Sequence, residues 1–336
     1  MRGAPSDQES FRGEPQGRTF SLMRSWTVPA GEAAIRLDAF VRRCLPHLSL
    51  RQAQRAIAER AFWVNDRPGK KGDKLAGGDR LSYRGPQHLL APAPLPGSDL
   101  AVPLLYEDEF VLVVDKPAGM ATHGFSGRER HSLANFLAAA RPSLCGVGKS
   151  RWEPGLVHRL DRDTSGLVLV AKDQDSFDNL RSQFRRGSIE KKYWALVWGK
   201  VARGKILDYP LIHDPKDRKR MRAIKKEGAK KVRAKRWRAL TRLKVAGYSQ
   251  GFTLLEVGID TGVTHQIRAH LEAFGHPLVG DPLYGKNRPY PFALGRQFLH
   301  AYYLGFRHPK SGLDVTVKSP LPKDLNRVLD YLKLGL

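Results

Sequence analysis

The chain has 336 residues, of which 41% are hydrophobic and 27% are charged, so it is long enough for two domains that each bury a core. It carries 58 lysines and arginines against 33 acidic residues, and the net charge of +25 indicates a polyanionic partner, with nucleic acid ahead of a membrane surface. The chain lacks an apolar run of the roughly 20 residues that a spanning helix needs, its first residues lack a signal-peptide core, and its two cysteines are too few for a disulfide framework, so we expect a cytoplasmic protein.

The first part of the chain predicts a tail followed by a small basic unit. Residues 1–24 are polar and lack apolar periodicity, which predicts a mobile tail. Helical spacing then runs from Ile35 to Leu45 and resumes after Ser49, a typical N-cap residue, and short strand patterns follow at 62–68 and 78–83. The cations predicted to contact backbone phosphates in this unit are Arg36, Arg51, Arg55, Lys70 and Lys71. A solvated helix face would also explain some of them.

Prolines predict a stiff, extended linker over residues 86–103. Strand patterns dominate the chain beyond it, and they lie at 110–114, 166–171, 192–198, 236–243, 252–259 and 314–318. Amphipathic helices are predicted at 176–185 and 265–274, and residues 321–336 are predicted to form a C-terminal helix or tail. Runs of consecutive strands favour a mixed, mainly antiparallel sheet and therefore an α+β fold class, with a small α/β unit in front.

A charged segment lies within apolar surroundings at residues 155–173. If residues 156–161 are extended, alternation places Val157, Arg159 and Asp161 on one face of the strand. Ionised groups in apolar surroundings need a partner or a function, which makes Asp161 a candidate catalytic residue. A surface ion pair with Arg159 is the simpler explanation.

Two further segments supply candidates for the same site. Tyr193 shares a strand face with Lys191 and lies between polar and apolar surroundings, although core packing alone would explain it. Thr264 is a predicted N-cap, and Arg268 lies near the first turn of the helix that follows, where a guanidinium can hold a carboxylate ionised. The simpler explanation for Arg268 is a position on the helix surface.

Two known families share these motifs. Residues 34–85 resemble the alpha-L RNA-binding module, through Arg36-Leu37-Asp38, Ser49-Leu50-Arg51-Gln52-Ala53, Val64-Asn65 and Gly78-Asp79. Residues 104–320 resemble the catalytic domain of the RluA-type pseudouridine synthases, and the segments that match in order and spacing are 106–123, 155–173, 190–199, 260–285 and 299–312. The stretch His-Arg-Leu-Asp-Arg-Asp-Thr-Ser-Gly is the most specific match, whereas Val263 stands where the family usually has a basic residue.

The resemblance implies an isomerase that flips a uridine out of structured RNA and converts it to pseudouridine with no cofactor and no metal. Asp161 is implied to be the catalytic aspartate, and three routes stay open: attack on the sugar carbon, addition to the base, or removal of a sugar proton. Arg268 is implied to pair with Asp161, and Tyr193 to stack near the uracil and help carbon 5 lose its proton. Arg159 is implied to fill the space that the flipped nucleotide leaves. We expect a monomer that acts on large-subunit ribosomal RNA or, as an alternative, on transfer RNA.

The segment 216–238 is strongly basic, with thirteen lysines and arginines against two acidic residues. We predict a strand and loop that clamp the RNA backbone. The residues chosen for this role are Arg218, Lys219, Arg220, Lys230 and Lys231. A solvated loop is the alternative.

Two other functional classes also fit parts of the sequence. A non-catalytic RNA-binding or ribosome-assembly factor would need the basic unit but not the combination of Asp161, Tyr193 and Arg268. A metal-dependent hydrolase would use His123, His158, His265 or His270, but His265 and His270 are five residues apart and so lie off a single helical face. The sequence therefore favours the isomerase.

Overall fold

The computed structural model describes residues 7–9, 24–46, 48–85, 94–124, 129–150, 152–225, 234–285, 288, 292 and 294–336. Its internal contacts divide the chain into two units, residues 1–93 and 94–336, and the division lies inside the segment predicted as a linker. Within the described part, no helix is long and apolar enough to cross a membrane.

The first unit packs two helices against small sheets. Its elements are β1 (Asp7–Glu9), β2 (Arg24–Thr27), β3 (Ile35–Arg36), α1 (Leu37–Cys44), α2 (Leu50–Ala58), β4 (Phe62–Val64), β5 (Arg67–Pro68), β6 (Lys74–Leu75) and β7 (Arg80–Tyr83). One sheet has the order β1-β2-β7-β4-β5, and β3 pairs with β6. Ser49 forms a capping box with Gln52 at the start of α2, which confirms the predicted N-cap.

The structure corrects two predictions about the flanks of this unit. Asp7–Glu9 pairs antiparallel with β2, so part of the predicted mobile tail is a strand, while the rest of residues 1–23 lies outside the described residues. Residues 94–103 belong to the second unit: the Asn135 amide donates to the carbonyl oxygen of Leu95, and the Gly97 N–H donates to that of Asn135. This part of the predicted linker is therefore hydrogen-bonded to the fold, and residues 86–93 lie outside the description.

The second unit is built on one large sheet. Its elements are β8 (Leu104–Glu107), β9 (Val111–Lys116), α3 (Leu133–Ala140), a 3-10 turn (Pro142–Gly146), β10 (Ser165–Ala171), α4 (Gln174–Arg186), β11 (Glu190–Trp198), β12 (Lys205–Leu207), β13 (Leu211–His213), β14 (Met221–Ala223), β15 (Thr241–Ser249), β16 (Phe252–Ile259), α5 (Gln266–Phe274), β17 (Leu299–Arg307), β18 (Asp314–Lys318) and α6 (Lys323–Leu332). The sheet order is β12-β15-β16-β11-β17-β10-β9-β8, with β18 also on β17. Its pairs are antiparallel except β10 with β17, which confirms the mixed, mainly antiparallel α+β fold.

The observed strands differ from the predicted ones in their bounds and in their number. The predicted strand at 236–243 begins only at Thr241, because Trp237 instead bridges Leu211. The sequence patterns also missed β17 as a strand, although it lies at the centre of the sheet between β11 and β10.

Both faces of the central strands are covered, which explains why their sequences are almost continuously apolar. On one face, Leu112 and Val168 belong to a core that includes Leu133 of α3; on the other, Val113 belongs to a core that includes Phe177 of α4. The sheet is thereby packed between helices, so the loops at its strand ends start from fixed positions.

Gly166 sits where β10 first meets β17. Its φ of +119° is in the region that favours glycine, and a Cβ there would lie 2.2 Å from the carbonyl oxygen of Ala301. Only glycine lets the two strands approach here, and the loop that carries Asp161 ends immediately before this junction.

A buried histidine on β17 predicts acid sensitivity. His300 is fully buried between Ser165 and Ser319, and burial lowers its pKa to about 4. Between about pH 6.5 and 4 the unfolded chain binds a proton at this residue that the folded chain does not. We therefore expect the free energy of unfolding to fall with decreasing pH in this window, by up to about 1.4 kcal/mol per pH unit from His300.

Urea unfolding at several pH values between 7 and 5 measures this slope. The variant His300→Asn lacks the titrating group. Its free energy of unfolding should therefore fall less steeply with decreasing pH than that of the wild type, and the difference is the contribution of His300. Equal slopes in the two proteins would contradict the assignment.

Candidate active site

Asp161 lies on a loop that is held on both sides. The hydroxyl of Thr122 donates to the carbonyl oxygen of Leu160 at 2.7 Å and accepts the Leu160 N–H at 3.1 Å. On the other side of Asp161, the ammonium of Lys116 donates to the carbonyl oxygen of Arg162 at 3.0 Å. These contacts fix the backbone of the residues before and after the carboxylate.

Lys116, which holds this loop, is fully buried, and that is unusual for a lysine. Its ammonium donates to three carbonyl oxygens, those of Pro117, Met120 and Arg162. Burial lowers the pKa of Lys116 to about 7, although the negative charges of Asp161 and Asp163 oppose the shift. The sequence patterns placed this lysine in a turn and predicted no further role. It holds the loop of Asp161 through a contact with a residue 46 positions away, which local patterns do not show.

The loop itself corrects the predicted alternation. Residues 157–164 are not a strand, and Leu156 makes only an isolated bridge to Val170. Both His158 and Arg159 line the same cavity as Asp161, because the loop bends around it. Arg159 and Asp161 therefore line one cavity, as predicted, but the cause is the bend of the loop and not the alternation of a strand.

The carboxylate of Asp161 receives a hydrogen bond from Arg268. The distance from Arg268 Nη1 to Asp161 Oδ2 is 3.1 Å, and the two side chains are 7% and 19% exposed. Arg268 also binds Asp281 through two parallel contacts, from Nε at 2.7 Å and from Nη2 at 2.9 Å. Burial acts to lower the pKa of Arg268, but Asp281 and then Asp161 outweigh it and raise the pKa. The guanidinium is therefore a fixed cation.

Asp281 is a site residue that the sequence patterns did not identify. Its side chain is fully buried, and Oδ1 also accepts the backbone N–H groups of Leu283 and Tyr284, at 2.9 Å each. The turn around it was predicted as rigid, and a buried aspartate in such a turn is the signal that could have indicated a pairing role. We infer that Asp281 orients Arg268 toward Asp161.

The start of α5 differs from the prediction. The N-cap residue is His265, with a φ of +55°, rather than Thr264. The strained position turns the ring into the site, where Nε2 lies 3.9 Å from Oδ2 of Asp161 and Nδ1 lies 3.1 Å from the hydroxyl of Tyr284. Burial lowers the pKa of His265, so the ring is neutral at neutral pH.

A cavity of about 430 Å³ is lined by Asp161, His265, Arg268 and Tyr193. Tyr193 is 5% exposed and its pKa is raised, first by burial and then by the negative charge of Asp161. The ring therefore stays a neutral phenol at neutral pH. The cavity has room for a nucleobase beside a carboxylate, a guanidinium and an aromatic ring.

The other histidines proposed for a hydrolase have partners in the protein. His158 accepts the Leu169 N–H at 2.9 Å, and His270 contacts the hydroxyl of Thr241 at 2.8 Å. His123 lies 3.2 Å from a carboxylate oxygen of Glu153. In the part of the chain that the structure describes, no group of three or more histidine, cysteine or acidic residues could hold a metal ion.

The predicted RNA contacts fall into three groups. Arg51, Lys70, Lys71, Arg218 and Lys219 are exposed. Arg36 pairs with Asp38 and Arg55 with Glu59, although both arginines remain more than half exposed. Arg220 pairs with Glu272 and lies over the ring of Tyr284. Lys230 and Lys231 lie outside the described residues.

Comparison with known proteins identifies the relatives of this chain. The family model described as RNA pseudouridylate synthase matches residues 110–273, and the S4 domain model matches residues 35–81. Ribosomal large subunit pseudouridine synthase D of Neisseria meningitidis serogroup A is 37% identical over 320 residues, which cover 92% of this chain and 81% of that protein. An uncharacterized RNA pseudouridine synthase of Chloroflexus aurantiacus is 38% identical over 310 residues, covering 91% and 92%.

A solved structure agrees with these relatives. The human protein titled RNA pseudouridylate synthase domain containing 4 is 26% identical, has a TM-score of 0.55, and matches 69% of this chain and 94% of that one. Sequence and fold thus point to one family, and the predicted resemblance is confirmed. The chain belongs to the RNA pseudouridine synthases of the RluA type, carries an N-terminal S4 domain, and is an isomerase that acts on RNA.

Proposed function

We propose that this protein converts uridine to pseudouridine in large-subunit ribosomal RNA and that Asp161 is its catalytic carboxylate. The observation that carries the proposal is the hydrogen bond from the fixed guanidinium of Arg268 to Asp161, in a cavity that Tyr193 also lines. In the reaction, the bond from N1 of uracil to the sugar breaks, a bond from carbon 5 forms, and the proton of carbon 5 is lost while N1 gains one. The three possible routes for Asp161 all require a carboxylate oxygen at a fixed place beside the substrate, and the hydrogen bond from Arg268 fixes the position of Oδ2.

The other side chains have separate roles in this proposal. Tyr193 packs against the uracil, and its raised pKa argues against a phenolate that accepts the proton of carbon 5. Arg159 is exposed at the cavity and takes the place of the flipped nucleotide in the RNA stack. Neither role involves a cofactor.

The choice of RNA is supported by relatives named for the large ribosomal subunit. Pseudouridine mapping of total RNA, with and without the gene, tests it. We expect one or a few pseudouridines in large-subunit ribosomal RNA to disappear when the gene is absent and to return when the wild-type gene is restored. Loss confined to transfer RNA would replace the proposed substrate, and an unchanged map would contradict the function.

A further inference from the structure

A second lysine lines the cavity, and it has no hydrogen-bonded partner in the described part of the chain. Lys191 lies on β11, two residues before Tyr193, and is 6% exposed. Its ammonium is 5.1 Å from the centre of the Phe184 ring, a contact that stabilises a cation but satisfies none of its three N–H donors. Because Lys191 lines the cavity, water or a ligand can supply the acceptors that the protein does not.

The charges around Lys191 are not balanced by nearby carboxylates. Burial lowers the pKa of Lys191 to about 8, and the acidic group that opposes the shift, Asp260, is itself ion-paired with Arg242. The described residues that line the cavity include six lysines and arginines but only two carboxylates, Glu153 and Asp161, and Asp161 is hydrogen-bonded to Arg268. The lining therefore carries net positive charge.

Helix α4 adds to this positive charge. Arg181 and Arg185 both line the cavity, and Arg181 uses one of its five donors on the carbonyl oxygen of Val157 at 2.7 Å. The ring of His158 stays neutral, because burial, together with the charges of Lys191 and Arg181, lowers its pKa to about 3. Lys191, Arg181 and Arg185 therefore line one shared space.

We propose that Lys191, assisted by Arg181, binds a backbone phosphate of the RNA next to the flipped uridine. The inference rests on the proposed function of the cavity. A phosphate is the anionic group of RNA, whereas uracil is neutral, and a buried ammonium pairs best with a localised negative charge. Lys191 and Tyr193 are about 7 Å apart along the strand, so one could hold a phosphate while the other contacts the base of the same or the adjacent nucleotide.

The test compares Lys191→Met with Lys192→Met. Lys192 is a matched control because it lies on the opposite face of the same strand, pairs with Glu190 at 3.0 Å and does not line the cavity. Affinity is measured at several salt concentrations with a short single-stranded RNA that contains one uridine. We expect Lys191→Met to weaken binding by about tenfold or more and to reduce the slope of log affinity against log salt by about 0.7. Lys191→Arg should keep the slope, and Lys192→Met should leave affinity and slope unchanged.

A second arm replaces the phosphates that flank the uridine with neutral methylphosphonates. Wild-type protein should bind this RNA more weakly, and Lys191→Met should lose no further affinity on it, because the two changes remove the same contact. Even where the lysine variant does not fold, an unchanged affinity of the wild-type protein for the methylphosphonate RNA would contradict the phosphate contact. This arm also does not depend on turnover, so a protein that binds in this way but forms no pseudouridine would contradict the proposed function alone.

Two results would overturn the proposal. One is an unchanged affinity and salt slope in Lys191→Met, and a slower isomerisation in that case would place Lys191 against the base. The other is a methylphosphonate effect that is equal in the wild type and in Lys191→Met.

Discussion

The variant Asp161→Asn is expected to form pseudouridine about 10³-fold or more slowly than the wild type, because every route open to this residue needs a carboxylate. The fold should tolerate the change. Arg268 keeps its two hydrogen bonds to Asp281 when the charge of Asp161 is removed, so no buried cation is left without a partner. The single-turnover rate, measured with ribosomal RNA from cells that lack the gene, gives the comparison.

Asp163→Asn is a suitable control for this experiment. It removes a carboxylate from the same loop, two residues away, but Asp163 does not line the cavity. We expect its rate to stay within a few-fold of the wild type, and RNA affinity to change little in Asp161→Asn. A rate for Asp161→Asn close to that of the wild type would show that another group performs the chemistry.

The second large effect is expected for Asp281→Asn. This change leaves Arg268, which is 7% exposed, without its main carboxylate partner, so the free energy of unfolding should fall by about 3 kcal/mol. The guanidinium would also lose the contact that aims it at Asp161, and a displacement of about 1 Å in such a site can cost about 10² in rate. Urea unfolding measures the first effect, and steady-state kinetics at a temperature where the variant is folded measures the second.

The split between kcat and KM separates a positioning role from a purely structural one. Asp281 does not line the cavity, so its loss should lower kcat and leave KM for RNA nearly unchanged. Glu107→Gln provides a control, since Glu107 forms a two-contact pair with Arg141 and neither residue lines the cavity. A destabilised Asp281→Asn that keeps the wild-type kcat would rule out the positioning role, as would an equal loss of kcat in Glu107→Gln.

Several features could be predicted from the sequence because they depend on neighbouring residues. Ser49 and Gln52 are three residues apart, so the capping box at the start of α2 is local. The apolar runs of β9 and β10 directly reflect burial on both faces of the sheet. The placement of Tyr193 and Lys191 on one strand face also followed from alternation.

Local patterns failed where a distant contact overrides them. Residues 157–164 have an alternating pattern but form a bent loop, because Thr122 and Lys116 hold its backbone from another strand and turn. Thr264 is the better N-cap by type, yet α5 begins after His265, whose ring contacts Tyr284 and approaches Asp161. In each case tertiary hydrogen bonds outweigh a local preference of about 1 kcal/mol.

The sequence by itself determined the two-part organisation, the fold class and the family, since these depend on periodicity and on motifs whose order is visible along the chain. Only the tertiary structure decided which charges meet. Arg268 reaches Asp161 across 107 residues, and Asp281 rather than Asp161 is its main partner. Lys191 is left as a buried cation without a hydrogen-bonded acceptor in the described residues. The energy of a charge depends on its burial and its partners, and both are set by how the chain folds.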